Sequence, residues 1–509
     1  MVWKHTGKMI MKNKITLLNM LSTLILQVIT IISGFVIPKL ILVYFGSEVN
    51  GLVSSLTQFL SYIALVEGGI TGVVMANLYK PLTENDNNKI SSIINTTKNF
   101  YKKIGFIFIG YSVLIAALYP IIFDISFNYF YIFLLTIILS INLFIQYMFS
   151  LTYRTLLNAD KKLYIVSLTQ CFIVLMSIIF AVISVKFYPQ IHIFKLISGL
   201  LYIIQPIVYS YFVKKYYKLD KDSVIDNSLL KSRWDGFAIN VASFIHNGTD
   251  ITLLTIFSTL SNVSVYSVYS LVSTGLKSII NSITSGLNPM LGMAYAKGDY
   301  EDLNNKMDLY EYIIFILVFL LFSVGALLIT PFISIYTKNI TDVNYYQPIF
   351  GYMILLAEAL YLIKFPHLNL AYSSNKFKEI TKPAYIEALI NIIISIILVP
   401  NFGLIGVSLG TIIAMLYRLI FHVWYTKKII PNRSMIIFYR KFLIFIIATF
   451  VGFLICSFVP ISNITFINLI LYGSIYGIIF LIIYVLVSLL FFKKEIIFFK
   501  KYLFRKVNL

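Results

Sequence analysis

The sequence predicts an all-α polytopic membrane protein with about 14 transmembrane helices, built as two six-helix bundles related by a parallel internal repeat plus two C-terminal helices. Three observations predict it. Of the 509 residues, 59% are hydrophobic and only 12% are charged, with a mean hydropathy of +0.86; a soluble domain carries about 25% charged residues, so most of this surface faces lipid. Apolar runs of about 20 residues recur from end to end, each long enough to cross the hydrocarbon core as a helix. A pattern of residues in the first half returns in the second at a near-constant displacement. The alternating short strands of a membrane barrel are not part of the pattern.

The runs place spans at 15–45, 50–79, 104–124, 128–153, 163–187, 193–213, 234–260, 264–292, 311–336, 346–372, 383–400, 404–426, 441–460 and 465–492. The first follows Lys4, Lys8, Lys12 and Lys14. It is too long for the core of a signal peptide and lacks a small-residue cleavage site, so it reads as a retained helix. Cys171 and Cys456 lie inside apolar runs and suggest no disulfide and no metal site.

The formal net charge of +20 is a topology signal, not a nucleic-acid signature. Assigning the loops alternately puts 34 of the 41 lysines and arginines on one side. That side is the cytoplasm, and an even number of spans then places both termini there. Reporter fusions after Lys218, Lys306 and Leu509 should all read cytoplasmic; an external signal at any of the three overturns this topology. The external loops are short, the longest near Tyr336 to Tyr346, which leaves no room for a folded outer domain.

A shift of 217 residues carries Asn87-Asn88-Lys89 onto Asn304-Asn305-Lys306, Gly69 onto Gly286 and Lys80 onto Lys297. Repeats in one orientation imply an axis along the membrane normal and a substrate path between the halves. The expected division is 1–219, 220–436 and a third segment, 437–509, that holds the two added spans and a basic cytoplasmic tail.

The first span carries Asn19, Ser22, Thr23, Gln27, Thr30, Ser33 and Gly34 within an arc of about 140° at 100° per residue. The seventh carries Asn240, Ser243, Asn247, Asp250, Ser258 and Ser261 on one face. A polar stripe that long faces protein or water, not lipid. It is either the wall of a hydrated central cavity, with Gln27, Asn240 and Asn247 in contact with substrate, or a seam of small polar residues between helices. Ionisable residues within the spans are Lys39, Glu67, Asp250, Lys277, Glu358, Lys364 and Arg418, each needing a partner or water because a lone charge at the bilayer centre costs about 3 kcal/mol or more. Helical rise puts Asp250 and Lys277 at similar depth, roughly 18 and 20 Å from the outer ends of their helices. The two either form a neutral ion pair or make a coupling site in which Asp250 binds a cation and Lys277 competes with it. Glu67, just before Gly68-Gly69, and Glu358 are further candidates for ion coupling. Lys39, Lys277, Lys364 and Arg418 would make the cavity attract an anion, Arg418 through its planar fork of donors; Lys39 could equally snorkel to the outer headgroups. His246 and His367 read as plain hydrogen-bonding residues. No phosphate loop, HExxH, GxSxG or CxxC motif is present in the sequence, so no enzyme activity is expected, and no bound cofactor.

Tyr44-Phe45-Gly46-Ser47-Glu48-Val49-Asn50-Gly51-Leu52, Leu78-Tyr79-Lys80-Pro81-Leu82 with Asp86 and Lys89-Ile90, Tyr153-Arg154 with Ala159-Asp160-Lys161, and Gly403-Leu404-Ile405-Gly406 with Gly410-Thr411 resemble the oligosaccharide-lipid flippases of the polysaccharide transporter family. That family belongs to the superfamily that also holds multidrug extruders and the lipid II flippase. The resemblance runs over nearly the whole chain through loose motifs. It implies two helical bundles around a central cavity and alternating access in the bacterial plasma membrane. The implied cargo is an undecaprenyl-diphosphate-linked oligosaccharide, with proton or sodium coupling and glycan polymerases and glycosyltransferases as partners. Fourteen spans fit a lipid II flippase as well. The first span lacks the acidic residue associated with some multidrug extruders, which weighs against a drug substrate. A scaffold for glycan assembly would not need a repeated polar face inside the membrane.

Overall fold

The computed structural model describes residues 2–507 except 68, 124–125, 221, 227, 230–236, 285–286 and 462; side chains at 2–13, 237–243, 245–247 and 501–507 lie outside the description. The described residues are helical with no strand. Among the described residues, twelve helices are long and apolar enough to span a membrane. One of them, Phe377–Ile429, is two helices joined across Gly403, whose φ of +48° breaks the helical path. A further apolar stretch, Gly248–Phe257, ends the helix Phe237–Phe257. Counting the bent helix twice and adding Phe237–Phe257 accounts for every span expected from the sequence.

The chain forms two compact units, Met1–Phe244 and Ile245–Leu509. The first contains α1 (Val2–Phe45), α2 (Ser47–Ser61), α3 (Ala64–Glu67), α4 (Ile70–Glu84), α5 (Asn87–Ile122), α6 (Tyr129–Ile145), α7 (Leu151–Ala159), α8 (Leu163–Phe187), α9 (Ile191–Leu200) and α10 (Ile204–Tyr216). Its core is a cluster of Leu60, Ile70, Val74, Ile90, Tyr101, Phe108, Leu156 and Tyr209 with their neighbours. The helix Phe237–Phe257 is α11. The second unit continues with α12 (Leu260–Thr284), α13 (Asn288–Ala296), α14 (Tyr300–Tyr336), α15 (Pro348–Ile363), α16 (Phe365–Ser373), α17 (Phe377–Ile429), α18 (Met435–Ser457), α19 (Phe466–Phe491) and α20 (Lys493–Val507).

The internal repeat is visible in how helices begin. The Asp86 carboxylate caps α5 by accepting from the Lys89 amide at 3.0 Å, and Asp299 caps α14 by accepting from the Asp302 amide at 2.9 Å. An aspartate at this position satisfies an amide that the helix itself leaves without a partner. The Lys89 amide also holds the Asp86 carboxyl below its ordinary range. The caps lie 213 residues apart; Ser47 and Leu260 also differ by 213, and Leu163 and Phe377 by 214. Ile70 and Asn288, by contrast, differ by 218, and Tyr129 and Pro348 by 219. The offset thus shifts along the chain by about one helical turn, which returns a residue to the same face, so polar stripes match at 217 as well as at 213–214.

The last two spans are fastened by charge as well as by apolar packing. α18 and α19 pack on α14 through Phe315, Phe319, Phe442, Phe445 and Tyr484. At one end of this seam Arg433 meets Asp308 at 3.0 Å and Glu311 at 2.7 Å, and Lys441 meets Asp308 at 2.8 Å, Glu311 at 3.3 Å and Glu495 at 3.3 Å. Burial alone would lower the Arg433 pKa, but Glu311 and Asp308 outweigh it and raise it. Arg433 and Lys441 are buried members of this network.

Candidate functional site

Two polar clusters inside the second unit use the residues that the sequence singled out. The first lies along α12, α15 and both arms of α17. Lys277 on α12 meets Glu358 on α15 at 3.2 Å. Tyr361, one turn further along α15, has an ammonium near its ring from either side of the sequence: Lys277 at 4.2 Å and Lys364 at 4.3 Å from the centroid. Lys364 sits at the break between α15 and α16, ahead of Pro366, and lies 3.7 Å from Glu387 on the first arm of α17. Arg418 on the second arm holds the other oxygen of Glu387 at 3.1 Å. Nη1 is off hydrogen-bond alignment there, so the contact is an ion pair without a good hydrogen bond. Arg418 Nε donates to His422 Nε2 at 2.7 Å, so His422 is a neutral acceptor at that nitrogen.

The sequence reading expected Lys277 beside Asp250. Lys277 meets a different carboxylate, Glu358, because α15 brings one to the same depth. Lys364 and Arg418 were expected to make the cavity attract an anion. Both are nearly fully buried and both lean on Glu387, a residue that reasoning on the sequence passed over although it falls inside the span 383–400. Its signal was available: a glutamate in an apolar run needs a cation, and Arg418 was one span away. Three cations thus face two carboxylates, and the excess of charge is a single positive one.

The second cluster is built by the turn in α17. Gly403 reverses the chain, and the arms then touch: a Cβ on Gly410 would lie 2.2 Å from Ser395 Oγ and 3.0 Å from Asn391 O. Only glycine allows that approach. It sets Asn391 and Thr411 beside Asp250 of α11, with Ser395 one turn along from Asn391 against Gly410. Asp250 accepts from Tyr266 OH at 2.9 Å, and Thr411 Oγ1 lies 3.1 Å from both carboxylate oxygens. Thr411 Oγ1 is also 3.1 Å from Val407 O and accepts from Asn391 Nδ2 at 2.9 Å. The Thr411 proton has three acceptors within 3.1 Å, and Asn391 Oδ1 and the Ser395 hydroxyl are buried with no hydrogen-bond partner among the described residues. Oxygens gathered in this way around a carboxylate are ligands that a small hard cation can take.

No protein-family model and no curated protein match the sequence. Solved structures do match. A structure of the lipid II flippase MurJ in an inward closed conformation superposes with a TM-score of 0.70 at 17% identity, covering 94% of this chain and 100% of that one. An inward-facing multidrug resistance MATE family transporter of the MOP superfamily gives 0.63 at 12%, covering 80% and 96%. A ligand complex of the MATE multidrug transporter DinF-BH gives 0.60 at 16%, covering 83% and 96%. The fold is that of the MurJ and MATE transporters. Such a likeness, together with twelve helices of spanning length among the described residues, makes the chain a multi-pass membrane protein of that fold.

The other candidates lie in the first unit or outside the description. Gln27 and Lys39 are half-buried on α1. The N-terminal end of the α1 stripe is a helix seam: Asn19 Nδ2 donates to Lys161 O at 2.7 Å, Asn19 Oδ1 accepts from the Tyr164 amide at 2.8 Å, and Thr23 lies 3.4 Å from Ser167. These contacts dock α1 on the start of α8, the packing alternative of the sequence reading. Glu67 accepts from Thr71 at 2.7 Å and Tyr101 at 3.2 Å, at the break before Gly69, whose φ is +79°. It is held by hydroxyls in the core of the first unit, away from any cation that pairs with it among the described residues. The side chains of Asn240, His246 and Asn247 lie outside the described residues. His367 bonds Thr426 at 2.8 Å as a hydrogen-bonding residue should.

Proposed function

We propose that this protein is a flippase that carries an undecaprenyl-diphosphate-linked oligosaccharide from the inner to the outer leaflet of the bacterial plasma membrane by alternating access, for surface polysaccharide synthesis. The observation that carries the reading is the match over 94% of the chain to a structure described as a lipid II flippase, against 80–83% for the multidrug transporters. A lipid-linked diphosphate sugar is large, polar and anionic at one end, so it needs polar surface within the membrane. The excess positive charge of the Lys277, Lys364 and Arg418 cluster supplies attraction, while the two carboxylates keep that attraction weak enough to release the cargo. Both termini are cytoplasmic in this reading, no catalytic role is assigned, and the glycan polymerase and glycosyltransferases of the pathway are the partners.

Energy enters at Asp250. Asp250, Asn391, Ser395, Thr411 and the Val407 carbonyl would hold a sodium ion, or Asp250 a proton, and filling the site would bias the packing of α11 against the two arms of α17.

Complementation tests the cargo. Expressed in a strain lacking its repeat-unit flippase, the protein should restore surface glycan; in a strain depleted of its lipid II flippase, it should not restore growth. Rescue of growth alone assigns lipid II as the cargo. Extrusion of dyes with neither rescue assigns a drug substrate.

A further inference from the structure

A cavity of about 330 Å³ lies inside the first unit, bounded by α1, α2, α6, α8 and α9. Polar groups from each helix reach it, among them Ser33, Thr57, Asn142, Ser177, Lys195 and Ser198. Two are fixed donors. Lys195 is an ammonium, and among the described residues no carboxylate pairs with it; its Nζ lies 5.7 Å from the centroid of the Phe194 ring. Asn142 uses its carbonyl on the Leu143 amide at 2.6 Å, so its NH₂ is the end left for the cavity.

The repeat register says what this cavity corresponds to. The second arm of α17 begins after Gly403, and Leu404 lies 213 residues beyond Ile191, the start of α9. At 213, Thr411 falls on Ser198 and Ser408 on Lys195. At the 214 of α8 and α17, Asn391 falls on Ser177. Asp250 falls within one residue of Ile37. Ile37, Ser177, Lys195 and Ser198 all line the cavity. The cavity of the first unit therefore lies at the repeat positions of Asp250, Asn391 and Thr411, which carry Ile37, Ser177 and Ser198 there. It has no carboxylate in the place of Asp250, and Lys195 stands one turn from Ser198 on the same helix.

We propose that this cavity is an anion-binding site, in which Lys195 and Asn142 hold the anion and the hydroxyls of Ser33, Thr57 and Ser177 turn toward it. A lysine that lines a cavity with no carboxylate partner among the described residues carries a desolvation cost that a bound anion offsets. The volume accommodates chloride or phosphate, or the diphosphate of a lipid-linked substrate. The chemistry is the same in each case, and the source is separable by experiment. The site stands on its own geometry and does not require the flippase reading.

The test uses the full chain in detergent and follows its thermal midpoint. At constant sodium and ionic strength, gluconate is replaced by chloride, inorganic phosphate or a short-chain polyprenyl diphosphate. At least one should raise the midpoint in a saturable way. Lys195→Met, which keeps the length and loses the charge, should weaken half-saturation ~10-fold or more, as expected for loss of a charge-assisted contact. Lys195→Arg should retain binding. A response to chloride or phosphate identifies a free anion as the ligand; a response to the polyprenyl diphosphate alone identifies the substrate headgroup. A wild-type midpoint indifferent to all three, or equal responses in wild type and Lys195→Met, overturns the proposal. If Lys195→Met does not fold, the wild-type and Lys195→Arg titrations decide it.

Discussion

Glu387→Gln should destabilise the second unit more than loss of either cation that Glu387 holds. Glu387 is buried between Lys364 at 3.7 Å and Arg418 at 3.1 Å. Neutralising it leaves the Lys364 and Arg418 charges facing each other, with Glu358, which already holds Lys277, as the remaining carboxylate of the cluster. Removing one partner from a buried ionic group costs about 3–5 kcal/mol, because the remaining charge keeps its desolvation penalty and loses its attraction. Arg418→Met removes a cation and leaves Glu387 with Lys364, so it should cost less. The double variant Glu387→Gln/Arg418→Met should be more stable than the sum of the singles, since it removes charge in matched amounts. Thermal midpoints in detergent measure all three. Additive losses, or a Glu387→Gln midpoint close to wild type, would show that the cluster does not act as a unit.

That expectation also revises how Arg418 meets a substrate. A bare arginine would clamp a diphosphate through its planar fork. Here the fork already faces a carboxylate, so an arriving anion must displace Glu387 or share Arg418 with it. Arg418→Lys keeps the ion pair in charge but not in geometry, and Arg418→Ala loses both. In the complementation assay the alanine variant should restore less surface glycan than the lysine variant, at equal protein level. Full glycan from Arg418→Ala and Lys364→Ala would return this cluster to a purely structural role.

Much of the fold was legible because the bilayer leaves few choices. A run of about 20 apolar residues has to be a helix there, since every backbone polar group must be satisfied within the segment. The span limits therefore found their helices, and Gly403 separated the arms of α17 where the sequence placed a turn. The site was legible only in parts. Charged residues within spans stood out against an apolar background, so Asp250, Lys277, Glu358, Lys364 and Arg418 were all named. Their pairing was not readable. Depth along a helix follows from rise per residue, but which helices are neighbours, and which way each is turned, is a matter of tertiary packing. Asp250 and Lys277 share a depth, yet Lys277 meets Glu358. Glu387 and Glu311 were missed for a different reason: each lies near the start of its expected span, where a charge is usually taken as belonging to the headgroup region. The polar face of α1 misled in part, because a serine or threonine stripe serves a helix seam as well as a wet wall, and Asn19 is spent on the start of α8.

Asp250→Asn should abolish the response of the protein to its coupling cation while leaving the fold intact. Asparagine keeps an oxygen for Tyr266 and Thr411, which now approach at 2.9 and 3.1 Å, but it removes the negative charge that a cation requires. Ligand present at 100 times its dissociation constant stabilises the folded state by about 2.7 kcal/mol. Replacing choline by sodium, with chloride held constant, should therefore raise the thermal midpoint of the wild type and leave Asp250→Asn unmoved. If the coupling ion is a proton, sodium will have no effect on either protein, and the transport rate should follow the pH gradient in wild type alone. Asn391→Ala and Ser395→Ala should weaken the cation response without abolishing it, because each removes one neutral oxygen and leaves the charge. The same chains separate the two repeat-related sites. Lys195→Met should keep the sodium response and lose the anion response, and Asp250→Asn should do the reverse. An Asp250→Asn protein that still answers to sodium as wild type does, and transports with the same ion dependence, would remove Asp250 from the coupling mechanism.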